Sequence, residues 1–219
     1  MDAIKFLIDF ILHIDEHLGE LISNFGLETY IILFLIIFVE TGVVIMPFLP
    51  GDSLIFAGAA FAAKGSLDIF ILFFVVLAAA IIGDTVNYHI GKAFGNKLIN
   101  WNNKIIKKEY IEKTYSFFER HGGKSIIIAR FVPIIRTFAP FVAGIGKMRY
   151  LRFLSFNAIG ALLWVSLFCI AGFFFGNIPF VKDNFSLVIF AIIFISLLPA
   201  IIGVIKGKIN SKKEKTEEK

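Results

Sequence analysis

Residues 125–144 read Ser-Ile-Ile-Ile-Ala-Arg-Phe-Val-Pro-Ile-Ile-Arg-Thr-Phe-Ala-Pro-Phe-Val-Ala-Gly, an apolar run that contains two arginines, Arg130 and Arg136, and two prolines, Pro133 and Pro140. Arginine cannot discharge itself by losing a proton, so each cation in such a run has to be answered by an anion. Nor can the run be one straight helix, because proline removes a backbone donor and clashes with the preceding turn. The fold must break this segment and bring partners to both cations.

The rest of the chain is apolar enough to place that problem in lipid. Of 219 residues, 58% are hydrophobic and 18% charged, with 27 Phe, and the mean hydropathy is +0.82. These values exclude an ordinary soluble domain and fit one all-α membrane domain. Four stretches, 29–47, 67–91, 150–176 and 185–205, reach the ~20 apolar residues that a bilayer crossing needs. Two more are interrupted: 47–65 by Pro47, Pro50, Gly51, Asp52 and Gly58, and 125–147 by its arginines, prolines, Gly144 and Gly146.

Charge sets the topology. Residues 92–124 carry eight Lys/Arg against three Glu, and residues 206–219 carry six Lys against three Glu. Such clusters mark cytoplasmic segments of a membrane protein rather than nucleic-acid binding. A crossing by 125–147 would put the basic linker 92–124 and the Lys147, Arg149, Arg152 cluster on opposite faces, so 125–147 reads as a hairpin re-entering from the cytoplasm. The hairpin 47–65 then enters from the other side. The expected fold is four transmembrane helices plus two opposed re-entrant helical hairpins, arranged as an inverted repeat, with both termini cytoplasmic.

Internal similarity supports the repeat. Gly91-Lys-Ala-Phe-Gly-Asn recurs as Gly172-Phe-Phe-Phe-Gly-Asn, and Phe48-Leu-Pro recurs as Phe131-Val-Pro, at offsets of 81 and 83 residues. Inverted repeats with broken helices build midplane sites reachable from either side. Residues 29–205 form the transport domain in this reading, and 206–219 a basic tail. Residues 1–28 alternate Ile4, Leu7, Ile8, Ile11 and Leu18 with Lys5, Asp9, His13 and Glu16 at helical spacing, an amphipathic interfacial helix without the features of a signal peptide. The single Cys169 excludes an internal disulfide framework and a cysteine-based zinc site.

The intramembrane charges are the candidates for chemistry. Glu40 falls mid-span, and Asp52, Arg130 and Arg136 fall in the two hairpins. Each would cost about 2.5–3.5 kcal/mol unpaired at the centre of a membrane helix. Salt bridges that merely pin the hairpins together are the plain alternative, yet buried ion pairs stabilise less than apolar packing of the same volume. Arginine's planar fork suits a phosphate, and irregular backbone around Pro50 and Pro133 can line a cavity. Glu40 and Asp52 are the groups able to exchange protons or to alternate as arginine partners. Asp84, Asn87, Tyr88 and His89 read as an interfacial polar patch, with Asp84 and Asn157 kept as candidate cavity residues. Trp164 reads as packing or interface. No catalytic residue, metal ligand or cofactor is expected.

These segments in order resemble the DedA family, also called SNARE-associated or VTT-domain proteins: Glu40, then Pro47-Phe-Leu-Pro-Gly-Asp52, Gly83-Asp-Thr-Val-Asn-Tyr-His-Ile-Gly91, His121-Gly122, Arg130-Phe-Val-Pro-Ile-Ile-Arg136-Thr-Phe-Ala-Pro140, and Met148, Phe153, Asn157, Gly160 and Trp164. The likeness covers about residues 25–205. It implies an inner-membrane protein with opposed re-entrant hairpins, active in lipid-carrier recycling and membrane homeostasis, whose essential acids and arginines fall on Glu40, Asp52, Arg130 and Arg136. Ala129 stands where many members have Gly, and Lys92 where many have Arg; neither removes a charge of the site.

Three function classes follow. The leading one is a transporter that flips an anionic lipid, undecaprenyl phosphate above all, with Arg130 and Arg136 on the phosphate and Glu40 and Asp52 coupling to protons. A proton-coupled exporter of small ions or drugs, or a phospholipid scramblase, is the alternative. A lipid phosphatase needs a nucleophile or general acid near the arginines, and none of His13, His17, His89 or His121 lies in a hairpin. Expected partners are membrane lipid, protons and a second copy of the chain, and no nucleic acid.

Overall fold

A computed structural model describes residues 14–43, 51–100, 121–176 and 178–183, with isolated positions between 112 and 120 and between 187 and 191. Among these residues all regular structure is helical: α1 (Ile14–Phe25), α2 (Thr29–Gly42), α3 (Gly51–Ala63), α4 (Ile69–Asn100), α5 (Ser125–Ala129), α6 (Pro133–Ile145), α7 (Tyr150–Phe175) and α8 (Pro179–Asp183). Three apolar stretches are long enough to cross a membrane: His17–Gly42, Ile69–Phe94 and Tyr150–Phe175. The basic tail, Pro47, Pro50 and nearly all of the expected span 185–205 lie outside the described residues.

The bundle is apolar on its outside. On α7, Leu151, Ile159, Leu163, Ile170 and Phe174 are exposed, while Phe153, Asn157, Gly160, Trp164 and Gly172 are buried. Large apolar chains outside and small or polar ones inside are what a lipid environment selects, since lipid offers no penalty to the first and no partner to the second.

α2 and α4 lie side by side and run the same way. Where both begin, termed the upper end, Asp68 N–H donates to Tyr30 Oη at 2.6 Å, and Asp68 Oδ1 caps α4 by accepting from the N–H groups of Phe70 and Ile71. Farther along, Asn87 Nδ2 donates to Thr41 O at 3.1 Å. The chain returns between them through α3, whose first residue, Gly51, abuts Glu40. This corrects the expectation that 29–47 and 67–91 are spans of opposite direction separated by a hairpin at 47–65. The physical reason is pairing: the Asp68–Tyr30 and Asn87–Thr41 hydrogen bonds hold α2 and α4 in the same direction.

The remaining helices begin at the opposite, lower end. α5 runs beside the start of α7, with the Gly160 backbone against Ile127 and Arg130 and Gly123 against Phe156. The chain then turns at Arg130–Val132, where Val132 N–H donates to Ala129 O at 2.9 Å. Val132 is extended, as the residue before a proline prefers, and Pro133 opens α6 at a position where its missing N–H costs nothing. α6 returns, and α7 crosses the bundle. α4 packs on α6, and α7 packs on α3. Glycines permit both contacts: a Cβ at Gly91 would collide with Phe141 O, and one at Gly172 with Phe56 O. α1 lays Leu18 against the core beside α3.

Gly91→Val and Gly172→Val each place a side chain into backbone that cannot yield, and the expected loss is about 1–3 kcal/mol or more, read from thermal unfolding in detergent. Gly19→Ala meets only the Phe61 ring at 3.5 Å and leaves the midpoint unchanged or slightly raised.

Candidate functional site

The charged residues sit where helix ends meet inside the bundle. Glu40 is two residues from the end of α2, Asp52 is in the first turn of α3, and Arg136 is in the first turn of α6. Arg136 Nη2 donates to Glu40 Oε1 at 2.5 Å and Nη1 donates to Asp52 Oδ1 at 2.7 Å, so one guanidinium spans two acids from two helices. Trp164 Nε1–H donates to the same Asp52 oxygen at 3.0 Å. A Cβ at Gly51 would overlap Glu40 Oε2, so that glycine leaves the room the carboxylate fills.

Arg130 is held separately. Its Nη2 donates to Asp84 Oδ2 and to Asn157 Oδ1, both at 2.5 Å, and Asn157 Nδ2 donates in turn to Ile81 O at 3.1 Å. Arg130 Nε and Nη1 are buried with no hydrogen-bond partner. The two arginine groups meet at Trp164, whose ring centroid lies 5.9 Å from the Arg130 guanidinium carbon and 5.3 Å from that of Arg136. Cations over an indole face gain from its quadrupole, more so when desolvated. Asn87 ties α2 to α6 across α4 by donating to Thr41 O and Thr137 O.

Burial is uneven across the site. Glu40 is 1% exposed and Arg130 and Asp84 are 3% exposed, whereas the Asp52 side chain reaches 14%. Asp52 and Arg136 are thus the more exposed members of the site. Among the described residues no group of three or more His, Cys, Asp or Glu is placed to hold a metal ion.

Of the residues singled out in the sequence, Glu40, Asp52 and Arg136 come together directly, and Arg130 joins them only through Trp164. Pro133 starts α6 three residues before Arg136, and Pro50 lies outside the described residues. The interfacial reading of the α4 patch is corrected: Asp84, Asn87 and Tyr88 are buried, and only His89 is exposed. Trp164 is a hydrogen-bond donor to the site and not only packing. The signal for both lay in spacing: Ala80, Asp84, Asn87 and Gly91 recur at helical intervals on one face of α4, and Asn157 and Trp164 share one face of α7.

The VTT domain matches residues 49–174 of the chain. The chain is 57% identical to Protein DedA of Escherichia coli (strain K12) over 211 residues, 95% of this chain and 96% of that one. It is 44% identical to an uncharacterised membrane protein of Mycobacterium leprae over 173 residues, 78% of each chain. With the inner membrane protein YghB of Escherichia coli (strain K12) the identity is 34% over 156 residues, 71% of each chain. No solved structure matches the chain at a significant level.

Double-mutant cycles on stability read the pairing directly. Arg130 with Asp84, and Arg136 with Glu40, are expected to couple by roughly 0.5–3 kcal/mol. Arg130 with Asp52, linked through Trp164, should couple more weakly than either directly bonded pair.

Proposed function

The chain belongs to the DedA family of VTT-domain membrane proteins, and from that premise we propose that it carries the phosphate head group of undecaprenyl phosphate across the cytoplasmic membrane. The lipid tail stays in the bilayer throughout. The observation that carries the proposal is Arg136 held between Glu40 and Asp52 where α2, α3 and α6 meet. An arginine fork binds carboxylates and phosphates by the same geometry, so the two acids occupy positions that phosphate oxygens can take. Arg130 adds buried donors at Nε and Nη1. When phosphate displaces them, the carboxylates of the site are charge-balanced by protons, which couples movement to the proton gradient. The site performs transport and no bond-breaking chemistry.

Alternating access needs the site to open both ways, and an inverted repeat supplies this. In this reading α2–α3–α4 and α5–α6–α7 are the two copies, and their hairpins re-enter from opposite faces. Each copy has one arm entering, one returning and one helix crossing, and each crossing helix docks on the other copy's returning arm. In this reading the basic segment 92–124 assigns the lower end to the cytoplasm, in keeping with the inner-membrane name of the relative YghB. The start of α2 then falls at the outer surface, so α1 belongs there and not on the cytoplasmic side that charge alone suggested. A homo-oligomer is compatible with this arrangement.

In vesicles carrying undecaprenyl phosphate on one leaflet, the wild-type chain is expected to move the head group. Arg136→Ala is expected to slow it about tenfold or more, the effect of losing charge-assisted hydrogen bonds of ~1.5–3 kcal/mol, and Arg130→Lys, which keeps the charge but loses the fork, is also expected to slow it. Normal movement by both variants would remove the phosphate assignment. In a Cys169→Ser background, Ser66→Cys should react with an impermeant thiol reagent from outside the cell and Arg149→Cys only from the cytoplasm.

A further inference from the structure

The buried charges do not balance. Glu40, Asp52 and Asp84 bring three carboxylates to a cluster in which Arg130 and Arg136 supply two guanidiniums. Fully ionised, the centre of the bundle holds one negative charge in excess, and an unanswered charge at that depth is costly. Among the described residues no other Asp, Glu, Lys, Arg or His is buried. The groups that complete the cluster from α4 and α7, Asn87, Asn157 and Trp164, are neutral. His89 and Lys92 on α4, and Lys147, Arg149 and Arg152 at the lower end, are exposed.

A second observation points to where the balance is restored. Glu40 Oε2 is buried against the Gly51 backbone without a well-formed hydrogen bond, whereas Oε1 holds Arg136. A proton on Oε2 cancels the excess and leaves the Arg136 bridge intact. We infer that the substrate-free site holds one resident proton, seated on Glu40 and required by Asp84, a residue that touches neither Glu40 nor Arg136 through a hydrogen bond. The proton belongs to the cluster as a coupled unit, so a change in charge anywhere within it sets whether the proton is present.

The consequence for transport rests on the reading given above. Each negative charge that a phosphate brings to the arginines is then matched by one more proton on these carboxylates, so head group and protons cross as a neutral assembly. The resident proton itself does not depend on which lipid is moved.

Infrared difference spectroscopy of the purified full-length protein, without polyprenyl lipid at neutral pH, tests the inference through the carbonyl stretch of a protonated carboxylic acid. The wild type should show one such band that shifts in heavy water. Asp84→Asn should lose it, although Glu40 is untouched. Adding Arg130→Gln to Asp84→Asn restores the excess charge, and the band should return. Glu40→Gln should lose it. Matching circular dichroism and elution profiles establish that each variant is folded. A wild type without the band, its persistence in Asp84→Asn, or its absence from the folded double variant overturns the inference. These spectra stand whether or not vesicle assays find lipid movement, so the two readings fail separately.

Discussion

A guanidinium keeps its charge in any protein, and the position of Arg136 inside an apolar bundle makes the surrounding architecture necessary. One side chain must collect two acids, and those acids come from the end of α2 and the start of α3. The requirement fixes three helix ends at one point, the end of α2 and the starts of α3 and α6. Helix ends also leave backbone groups open to partners, and only the interior of a membrane protein tolerates them at that depth.

Arg130 repeats the solution with different partners. Its acid, Asp84, comes from the middle of the long α4 and its amide, Asn157, from α7. Trp164 then joins the halves, donating its N–H to Asp52 while offering its ring to both cations. Under the proposed function, a displacement of Arg136 toward a phosphate would be felt at Asp52, at Trp164 and, across the ring, at Arg130. The close glycine contacts of α4 on α6 and of α7 on α3 give the moving parts a stiff frame, since backbone in direct contact leaves no slack to absorb a shift.

The membrane character, the break in residues 125–147 and the need of the buried arginines for acidic partners were legible in the sequence, because apolar runs, proline and unneutralisable arginine carry their consequences locally. The direction of α2 was not. Residues 29–47 have the length and hydropathy of a span, and only the Tyr30–Asp68 and Thr41–Asn87 contacts together show that α2 runs beside α4 in the same direction. Asp84 was a candidate cavity residue, but the patch around it read as interfacial because polar residues near Tyr88 and His89 resemble an interfacial anchor. In α4 the helix runs on to Asn100, which leaves Asp84 well inside. Pairing of acids with arginines depends on how six helices rotate about their axes, and no local pattern encodes that.

The central claim is that Arg136 exchanges carboxylate partners for a lipid phosphate. Solid-state NMR of the protein in bilayers containing undecaprenyl phosphate, with 15N-labelled arginine and the natural 31P of the lipid, measures that exchange through the phosphorus–nitrogen dipolar coupling. The account predicts a direct contact between phosphorus and the Arg136 guanidinium, assigned by its loss in Arg136→Lys, with the Arg136–Glu40 proximity weakened when lipid is bound. Phosphorus coupled only to arginines of the exposed lower surface, with the Arg136 bridge unchanged, would contradict it.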